Sequence, residues 1–320
     1  AHSRDQVADS VSVARSGRVA CGATVLMVEL LSMGAIIEVG DDVLVGTGYY
    51  GANVGCILTY DGAVLVDAPI IPSEGKAWRQ AVEEQTGAEL IYMFITDSHP
   101  NHAIGNGIFN VPCIANERAY RSMARFTPTM RERVLDMFRD WAPEIVTELA
   151  DFQVASPEIT FDYDLTIYRG GRVFQMLRLG GHTPASSVLF VQDARVLFAG
   201  DLIVNGMPPF VGQGDSLEWL QALQRMRELQ PRSIVPGHGP VAGIEIIDKL
   251  EGFLLRLRSG VASLANEGRS KAEVATRMLY LLDEFDIEER WRKRIEKSFR
   301  ASIARVYEEM SPEIRAEPEE

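Results

Sequence analysis

Residues 97–102, Asp-Ser-His-Pro-Asn-His, carry four side chains that offer nitrogen or oxygen to a metal ion. The apolar run 91–95 before them predicts a buried strand, and Gly105 after them predicts a sharp turn. Side chains alternate along an extended chain, so Asp97, His99 and Asn101 point the same way, and His102 follows where the chain curls back. Donors that converge at a strand end predict a metal site, although this short string is a weak signal by itself.

The remaining histidines strengthen this interpretation. The chain has five histidines, and all except His2 follow strand-like apolar runs. His182 lies in Gly-Gly-His-Thr-Pro, His238 lies in Val-Pro-Gly-His-Gly-Pro, and Asp201 ends the run 196–201. Histidines kept for core packing would scatter through helices and strands, whereas these lie beside Gly or Pro at strand ends, where functional sites are commonly built. We therefore favour a functional site over core packing.

In order and spacing, these residues resemble the metallo-β-lactamase-fold hydrolase superfamily, with its signature H-x-H-x-D-H, G-H-T, G-D and a late G-H-G. The matching segments are 97–102, 181–183, 200–201 and 237–239, and the resemblance runs from about residue 37 to about residue 255. It departs at two positions. Asp97 stands where the family has its first His, and Asn101 stands where the family has Asp.

The resemblance implies two metal positions. One position would use Asp97, His99 and His182, and the other would use His102 and His238 with Asn101 nearby. Asp201 would bridge the two ions, so Asp201, Asn101 and Asp97 are the candidate catalytic residues. Asp67, which ends Val-Leu-Val-Asp, resembles the family's acid that orients a metal-bound histidine. The implied chemistry is attack by a zinc-bound hydroxide on an electrophilic carbon.

The two departures bear on the metal. Asp97 is a harder ligand than His and admits iron or manganese as well as zinc, while Asn101 supplies no negative charge. We therefore expect one or two zinc ions per chain, with the Asp97 position the tighter one. The alternative is that His102, Asp201 and His238 form a three-ligand catalytic site alone, which leaves the Asp97 side empty.

Several side chains are candidate substrate contacts. The loop 46–53 is rich in Gly but lacks the spacing of a phosphate-binding loop. By the resemblance it lies over the metal site, so Tyr49, Tyr50 and Asn53 are expected to contact substrate, with packing equally supported for the aromatics. The apolar loop that ends at Phe210 is expected to border the same pocket.

Strands followed by helices, twice over, suggest an α/β protein with a four-layer αββα sandwich. The resemblance implies that this sandwich is of the metallo-β-lactamase type. Strands are predicted over 36–39, 43–46, 55–59, 63–67, 91–95, 159–167, 172–179, 196–201 and 233–235. Helices are predicted over 76–85, 117–149 with breaks at Pro128 and Pro143, 217–229, 244–257, 271–282 and 287–310. We expect a catalytic domain over 36–310, helical from about 244, then an acidic tail over 311–320.

Residues 1–35 are expected to form a helical extension. The stretch 19–37 has the length of a membrane span, but Glu29 lies at its centre and Gly22 interrupts it. One helical face would carry Leu26, Leu30, Met33 and Ile37. We favour an amphipathic helix that packs on the domain or on a second copy of the chain, which predicts a homo-oligomer, over an export signal.

Composition narrows the function classes. A net charge of −13 argues against nucleic-acid binding. The short basic cluster 290–294 does not change this, because acidic residues flank it, as on a solvated helix face. The three cysteines lack the spacing of a disulfide framework or a zinc site, and a cytoplasmic location is the default, with export left open. No G-x-S-x-G motif is present. We expect a metal-dependent hydrolase of a small ester, lactone, amide or activated aryl halide; the alternatives are a non-catalytic binding protein on a degenerate metal site and a di-iron redox protein.

Overall fold

The chain folds into two β-sheets packed face to face, with helices on both outer faces. This is the four-layer αββα sandwich that the sequence predicted. The computed structural model describes residues 35–310, except for the side chains of residues 140 and 141. The predicted acidic tail and the N-terminal helix up to residue 34 lie outside the described residues.

The first sheet has seven strands in sequence order, antiparallel from β1 to β4 and parallel from β4 to β7. Its strands are β1 (Ala35–Gly40), β2 (Val43–Thr47), β3 (Val54–Thr59), β4 (Gly62–Val66), β5 (Leu90–Phe94), β6 (Cys113–Asn116) and β7 (Ile159–Phe161). The second sheet has the order β12-β11-β10-β9-β8, in which only β11 and β12 are parallel neighbours within the described residues. Its strands are β8 (Asp164–Arg169), β9 (Arg172–Arg178), β10 (Ser187–Val191), β11 (Val196–Val204) and β12 (Ser233–His238).

Helices connect the strands and form the last part of the described chain. They are α1 (Pro72–Thr86), α2 (Pro100–Ala103), α3 (Glu117–Ala124), α4 (Pro128–Trp141), α5 (Val146–Leu149), α6 (Ser216–Glu228), α7 (Glu245–Asn266), α8 (Lys271–Arg277) and α9 (Glu289–Met310). Short 3-10 helices span Asn106–Ile108, Pro143–Ile145 and Met278–Glu284. Pro128 begins α4 after Thr127, whose hydroxyl caps the helix by accepting the Met130 N–H.

Alternation along the strands builds the layers. In β4, Val64 and Val66 point into the core between the sheets, while Leu65 points outward to the layer that contains Trp78 of α1. In β11, Phe198 points between the sheets, whereas its neighbours point toward the outer helices. Because each sheet is covered on both faces, its central strands are mainly apolar, although β11 carries Asp201 in its interior.

The structure corrects the sequence predictions in three places. Ile37, assigned both to a strand and to the apolar face of the N-terminal helix, lies in β1 opposite Val45 of β2. The single strand predicted over 159–167 is two strands, β7 and β8, which belong to different sheets. Strands β6 and β10 were missed, although β10 is a fully buried apolar run. A short apolar run carries no periodicity by which to recognise it.

Among residues 35–310, no helix combines the length and the apolar character that a membrane crossing requires.

Candidate metal centre

The candidate ligands come from four separate segments of the chain that meet at one edge of the sandwich. Asp97 and His99 follow β5, and His102 lies in α2, whose first residue is Pro100. His182 lies in the loop between β9 and β10. The second sheet supplies the other two, Asp201 within β11 and His238 at the end of β12.

Glycine makes this close approach feasible. Gly200 has φ +50°, and a Cβ atom there would lie 2.7 Å from the Thr96 hydroxyl. A Cβ atom on Gly237 would lie 2.1 Å from Asp201 Oδ1. Any side chain at Gly237 would therefore fill the space beside the carboxylate.

The six candidate ligands fall into two groups of three, in each of which the donor atoms lie within 4.8 Å of one another. We call them the Asp97 group (Asp97, His99, His182) and the Asp201 group (His102, Asp201, His238). Asp201 reaches both groups: its Oδ1 lies 3.2 Å from His102 Nε2, and its Oδ2 lies 3.5 Å from His182 Nε2. The structure thus brings together the residues that the resemblance assigns to each position, and Asp201 lies between the two groups.

The Asp201 group has donor atoms suited to a cation. His102 Nδ1 lies 2.8 Å from Asp67 Oδ2, which turns Nε2 toward Asp201. His238 Nε2 lies 3.3 Å from the same Asp201 Oδ1. Among the described residues, His102 Nε2 and Asp201 Oδ1 are buried without a hydrogen-bond partner, since their 3.2 Å contact lacks hydrogen-bond geometry. A bound divalent cation would satisfy both atoms, so this donor set fits the metal that the resemblance implies.

In the Asp97 group, two imidazole nitrogens face each other. His99 Nδ1 lies 3.0 Å from His182 Nε2. His182 Nδ1 donates to the Phe210 carbonyl at 2.9 Å, so in the neutral ring Nε2 carries the lone pair. His99 Nε2 lies 2.8 Å from Gln213 Oε1. Burial lowers the pKa of His182 and favours the neutral ring, the form that binds a metal.

Asp97 has an extensive set of protein partners. Its Oδ1 accepts the His99 backbone N–H at 3.0 Å. Its Oδ2 accepts the hydroxyls of Thr183 at 2.7 Å and Ser186 at 2.5 Å. Burial would raise the pKa of this carboxyl, but the surrounding histidines and the Ser186 hydroxyl outweigh burial and lower the pKa. Asp97 is therefore ionised and largely satisfied by the protein itself.

Asn101 lies beside the Asp201 group. Its Nδ2 is 3.0 Å from His238 Nε2 and donates to Asp201 Oδ2 over 3.4 Å. The amide is in contact with two of the three donors of that group but brings no charge. The structure therefore places Asn101 beside His238 and Asp201.

Opposite charges dominate the electrostatics of the Asp201 group. Burial would raise the pKa of Asp201, but His238 and His102 outweigh burial and hold the pKa well below its usual range. Burial would lower the pKa of His102, but the carboxylates of Asp201 and Asp67 raise the pKa well above its usual value. Two carboxylates thus surround His102, an arrangement that attracts positive charge, whether a proton or a metal ion.

The predicted substrate contacts occupy different places. Phe210 lies against the centre, with its ring 6.3 Å from the His182 ring. Asn53 donates its side-chain amide to the Pro236 and Gly239 carbonyls, so it fastens the loop that carries His238. Tyr49 packs edge-on against the Trp78 ring at 6.0 Å.

Tyr50 is bound to helix α1 through its backbone, since its N–H donates to Glu74 Oε2 at 2.9 Å. Its side chain packs on the apolar cluster of α4 and α5.

Sequence reasoning missed several residues that hold the ligands in place. Thr96 donates its hydroxyl to Asp67 at 2.6 Å, and Gln213 contacts His99. Ser186 reaches Asp97 from the loop of His182. Thr183 was visible as part of Gly-His-Thr, but a lone Ser or Gln in a loop carries no signal of this kind.

The model of the metallo-beta-lactamase superfamily matches residues 48–238, more than half of the chain. The chain is 31% identical over 85 residues to the Beta-lactamase-like protein 2 homolog of Caenorhabditis elegans, a match that covers 26% of this chain and 28% of that protein. It is 23% identical over 210 residues to Metallo-beta-lactamase type 2 of Bacteroides fragilis, which covers 63% of this chain and 75% of that protein.

Solved structures share the fold at low identity. A metallo-beta-lactamase from Pontibacter korlensis aligns with a TM-score of 0.55 at 18% identity, covering 69% of this chain and 99% of the other. A metallo-beta-lactamase family protein from Thermus thermophilus aligns with a TM-score of 0.59 at 18% identity, covering 81% of this chain and 89% of the other. By the extent of the family match, with the shared fold, this chain belongs to the metallo-beta-lactamase superfamily.

Proposed function

We propose that this chain is a metal-dependent hydrolase of a small-molecule substrate, with zinc as the expected metal at one or two ions per chain. The candidate substrates are an ester, a lactone, an amide or an activated aryl halide. The family gives the hydrolase type, and the donors His102, Asp201 and His238 fit a divalent cation.

The observation that carries the proposal is the pair of unsatisfied buried atoms, His102 Nε2 and Asp201 Oδ1, at a strand-end edge. Leaving a buried polar atom without a partner costs about 1–3 kcal/mol, so two adjacent ones imply a ligand that the protein is built to hold. A decayed site would not be expected to keep the supporting bonds from Asp67 to His102 and to Thr96.

The residues have distinct proposed roles. When bound, a zinc ion polarises the group under attack and acidifies a water molecule. Asp67 fixes the His102 ring, and Asp201 offers one oxygen to each group of donors. Asn101, whose amide nitrogen contacts His238 Nε2 and Asp201 Oδ2, would position a water or a substrate oxygen through its amide group. Phe210 orients His182 through its carbonyl and gives the site an apolar wall.

The test is metal analysis of the purified chain, followed by hydrolysis of a panel of the four substrate types before chelation, after chelation and after addition of zinc. We expect about one or two equivalents of zinc, loss of turnover on chelation and recovery on reloading. His238→Ala should remove most of the metal and the activity, and His2→Ala, at the start of the chain, serves as the matched histidine control.

Other outcomes would replace the proposal. Full hydrolysis by metal-free protein would end it. Iron with reversible redox spectra would favour the di-iron redox protein. Absence of both metal and turnover would favour the non-catalytic binding protein.

A further inference from the structure

We propose that the two metal positions are unequal, and that the Asp201 group fills first and holds its ion more tightly than the Asp97 group. Asp97 then acts mainly as an anchor between two loops. This inference rests on the proposed function in requiring that the centre binds metal, and it reverses the order expected from the charge of Asp97 alone.

The Asp97 carboxylate is nearly saturated with hydrogen bonds from the protein. A carboxylate offers about four lone-pair positions, and three of these are taken by the His99 N–H and the hydroxyls of Thr183 and Ser186. Each hydroxyl donates to Asp97 Oδ2, and its oxygen also accepts a backbone N–H. Thr183 Oγ1 accepts from Ala185 at 3.2 Å, and Ser186 Oγ accepts from Thr183 at 2.9 Å. Little donor capacity is left for a cation.

The hydroxyl partners of Asp97 lie on a different loop from Asp97 itself. Thr183 and Ser186 belong to the loop that carries His182, whereas Asp97 follows β5 in the other sheet. The Asp97 carboxylate thus fastens the two sheets' loops together at the site. Coordination through Oδ2 would compete with charge-assisted hydrogen bonds that are buried, since Asp97 is 1% exposed.

The Asp201 group differs from the Asp97 group because two of its donor atoms make no hydrogen bond within the described chain. His102 Nε2 and Asp201 Oδ1 are buried and, within the described chain, make no hydrogen bond; they lie 3.2 Å from each other, and Asp201 Oδ1 lies 3.3 Å from His238 Nε2. A cation there therefore displaces no hydrogen bond of these two atoms. The His102 ring is already fixed by Asp67, which in turn accepts the Thr96 N–H at 2.8 Å. Donor atoms that are held rigidly and make no hydrogen bond bind a metal ion with a smaller reorganisation cost than donor atoms that must first give up a hydrogen bond.

The experiment follows the imidazoles directly. Metal-free protein labelled with ¹⁵N-histidine is titrated with zinc and followed by long-range ¹H–¹⁵N spectra, in which the five histidines are few enough to assign by single substitutions. We expect the first equivalent to shift His102 and His238, and a later equivalent to shift His99 and His182. Simultaneous movement of all four, or earlier movement of His99 and His182, would overturn the inference. Zinc that shifts none of them would overturn the proposed function as well.

A matched pair of variants tests the anchor role of Asp97. Asp97→Asn and Asp201→Asn make the same chemical change at two buried carboxylates, and zinc affinity is measured by competition with a chromophoric chelator. We expect Asp97→Asn to keep the first equivalent within a few-fold of wild type, and Asp201→Asn to weaken it by at least about 10-fold. Loss of the first equivalent in folded Asp97→Asn would contradict the inference, and the wild-type spectra decide the order of filling if either variant does not fold.

Discussion

At the scale of single residues, Asp67 shows how much support one ligand receives. It adopts φ +54°, in the left-handed region that non-glycine residues seldom enter. This geometry turns its carboxylate toward β5 and α2, where it accepts the Thr96 N–H, the Thr96 hydroxyl and the contact from His102 Nδ1. A strained backbone held by three polar contacts is typical of a functional site.

Replacing Asp67 by Asn isolates this support, because Asn tolerates the left-handed region but removes the charge and one acceptor. We expect the zinc affinity of Asp67→Asn to fall about 10–100-fold, measured by chelator competition. The control is Asp61→Asn, which changes an exposed residue whose carboxylate pairs with Arg169. Equal affinity in wild type and Asp67→Asn would show that the His102 ring needs no such support.

Asn101 gives a second prediction at this scale. Its amide contacts His238 and Asp201 but leaves the Asp201 group one negative charge short of the family pattern. Asn101→Asp should therefore bind zinc more tightly at the Asp201 group, by about 10-fold or more, in the same competition assay. Unchanged affinity would mean that residue 101 does not contact the metal.

At the scale of elements, helix α1 carries a partly buried acidic residue. Glu74 accepts the Tyr50 N–H, and burial, with Glu148 nearby, raises the Glu74 pKa to about 7 even though this hydrogen bond lowers it. Burial, with the Glu74 carboxylate as a smaller cause, raises the pKa of Tyr49 to about 12. Burial makes the Glu74 carboxyl easier to keep protonated than a carboxyl in water.

The sign of the resulting pH dependence follows from proton binding. Between pH 4.5 and about 7 the folded chain holds a proton on Glu74 that the unfolded chain releases, so stability falls as pH rises through that window. At about 1.4 kcal/mol per pKa unit the loss is at most about 3.5 kcal/mol, and about 1 kcal/mol after allowance for partial exposure. Glu74→Gln keeps the acceptor for Tyr50 and should remove this loss.

Urea unfolding at pH 5 and pH 8 measures the effect. Glu74→Gln should gain stability relative to wild type at pH 8 more than at pH 5. Glu84→Gln, at an exposed position of the same helix, is the control and should leave the wild-type difference unchanged. The idea fails if both variants behave alike.

At the scale of the whole molecule, the domain boundaries and the oligomer remain proposals. The structure begins with β1 at Ala35, which pairs with Thr47 of β2, so a chain that starts at residue 35 keeps its edge strand. Because Ile37 belongs to that strand, the proposed N-terminal helix retains Leu26, Leu30 and Met33 as its apolar face.

Deleting residues 1–34 tests this extension. We expect a smaller oligomer or lower solubility, since the apolar face is proposed to pack on the domain or on a second copy of the chain. Light scattering coupled to gel filtration gives the molar mass, and deletion of residues 311–320 is the control. Unchanged mass, solubility and stability would make the extension dispensable.

The sequence by itself determined the class of fold and the residues that meet. Histidines are rare in this chain, and their positions after apolar runs, close to Gly or Pro, pointed to one functional site. The resemblance to the family then named the six candidate donors and Asp67, and the structure brings these residues together. Such a pattern is local, because strand ends and turns are set by neighbouring residues. The same local rules placed most of the helices and strands, with errors at short runs such as β6 and β10.

Only the tertiary structure decided how the donors are engaged. Ser186 and Asp97 are 89 positions apart, and the hydrogen bond between them exists only because two sheets meet at one edge. The same holds for the Asp201 group, whose two atoms without hydrogen bonds come from α2 and from β11, and for Asn53, which reaches carbonyls more than 180 positions away. Sequence spacing shows which residues can bind a metal, but free donor atoms depend on contacts between distant segments.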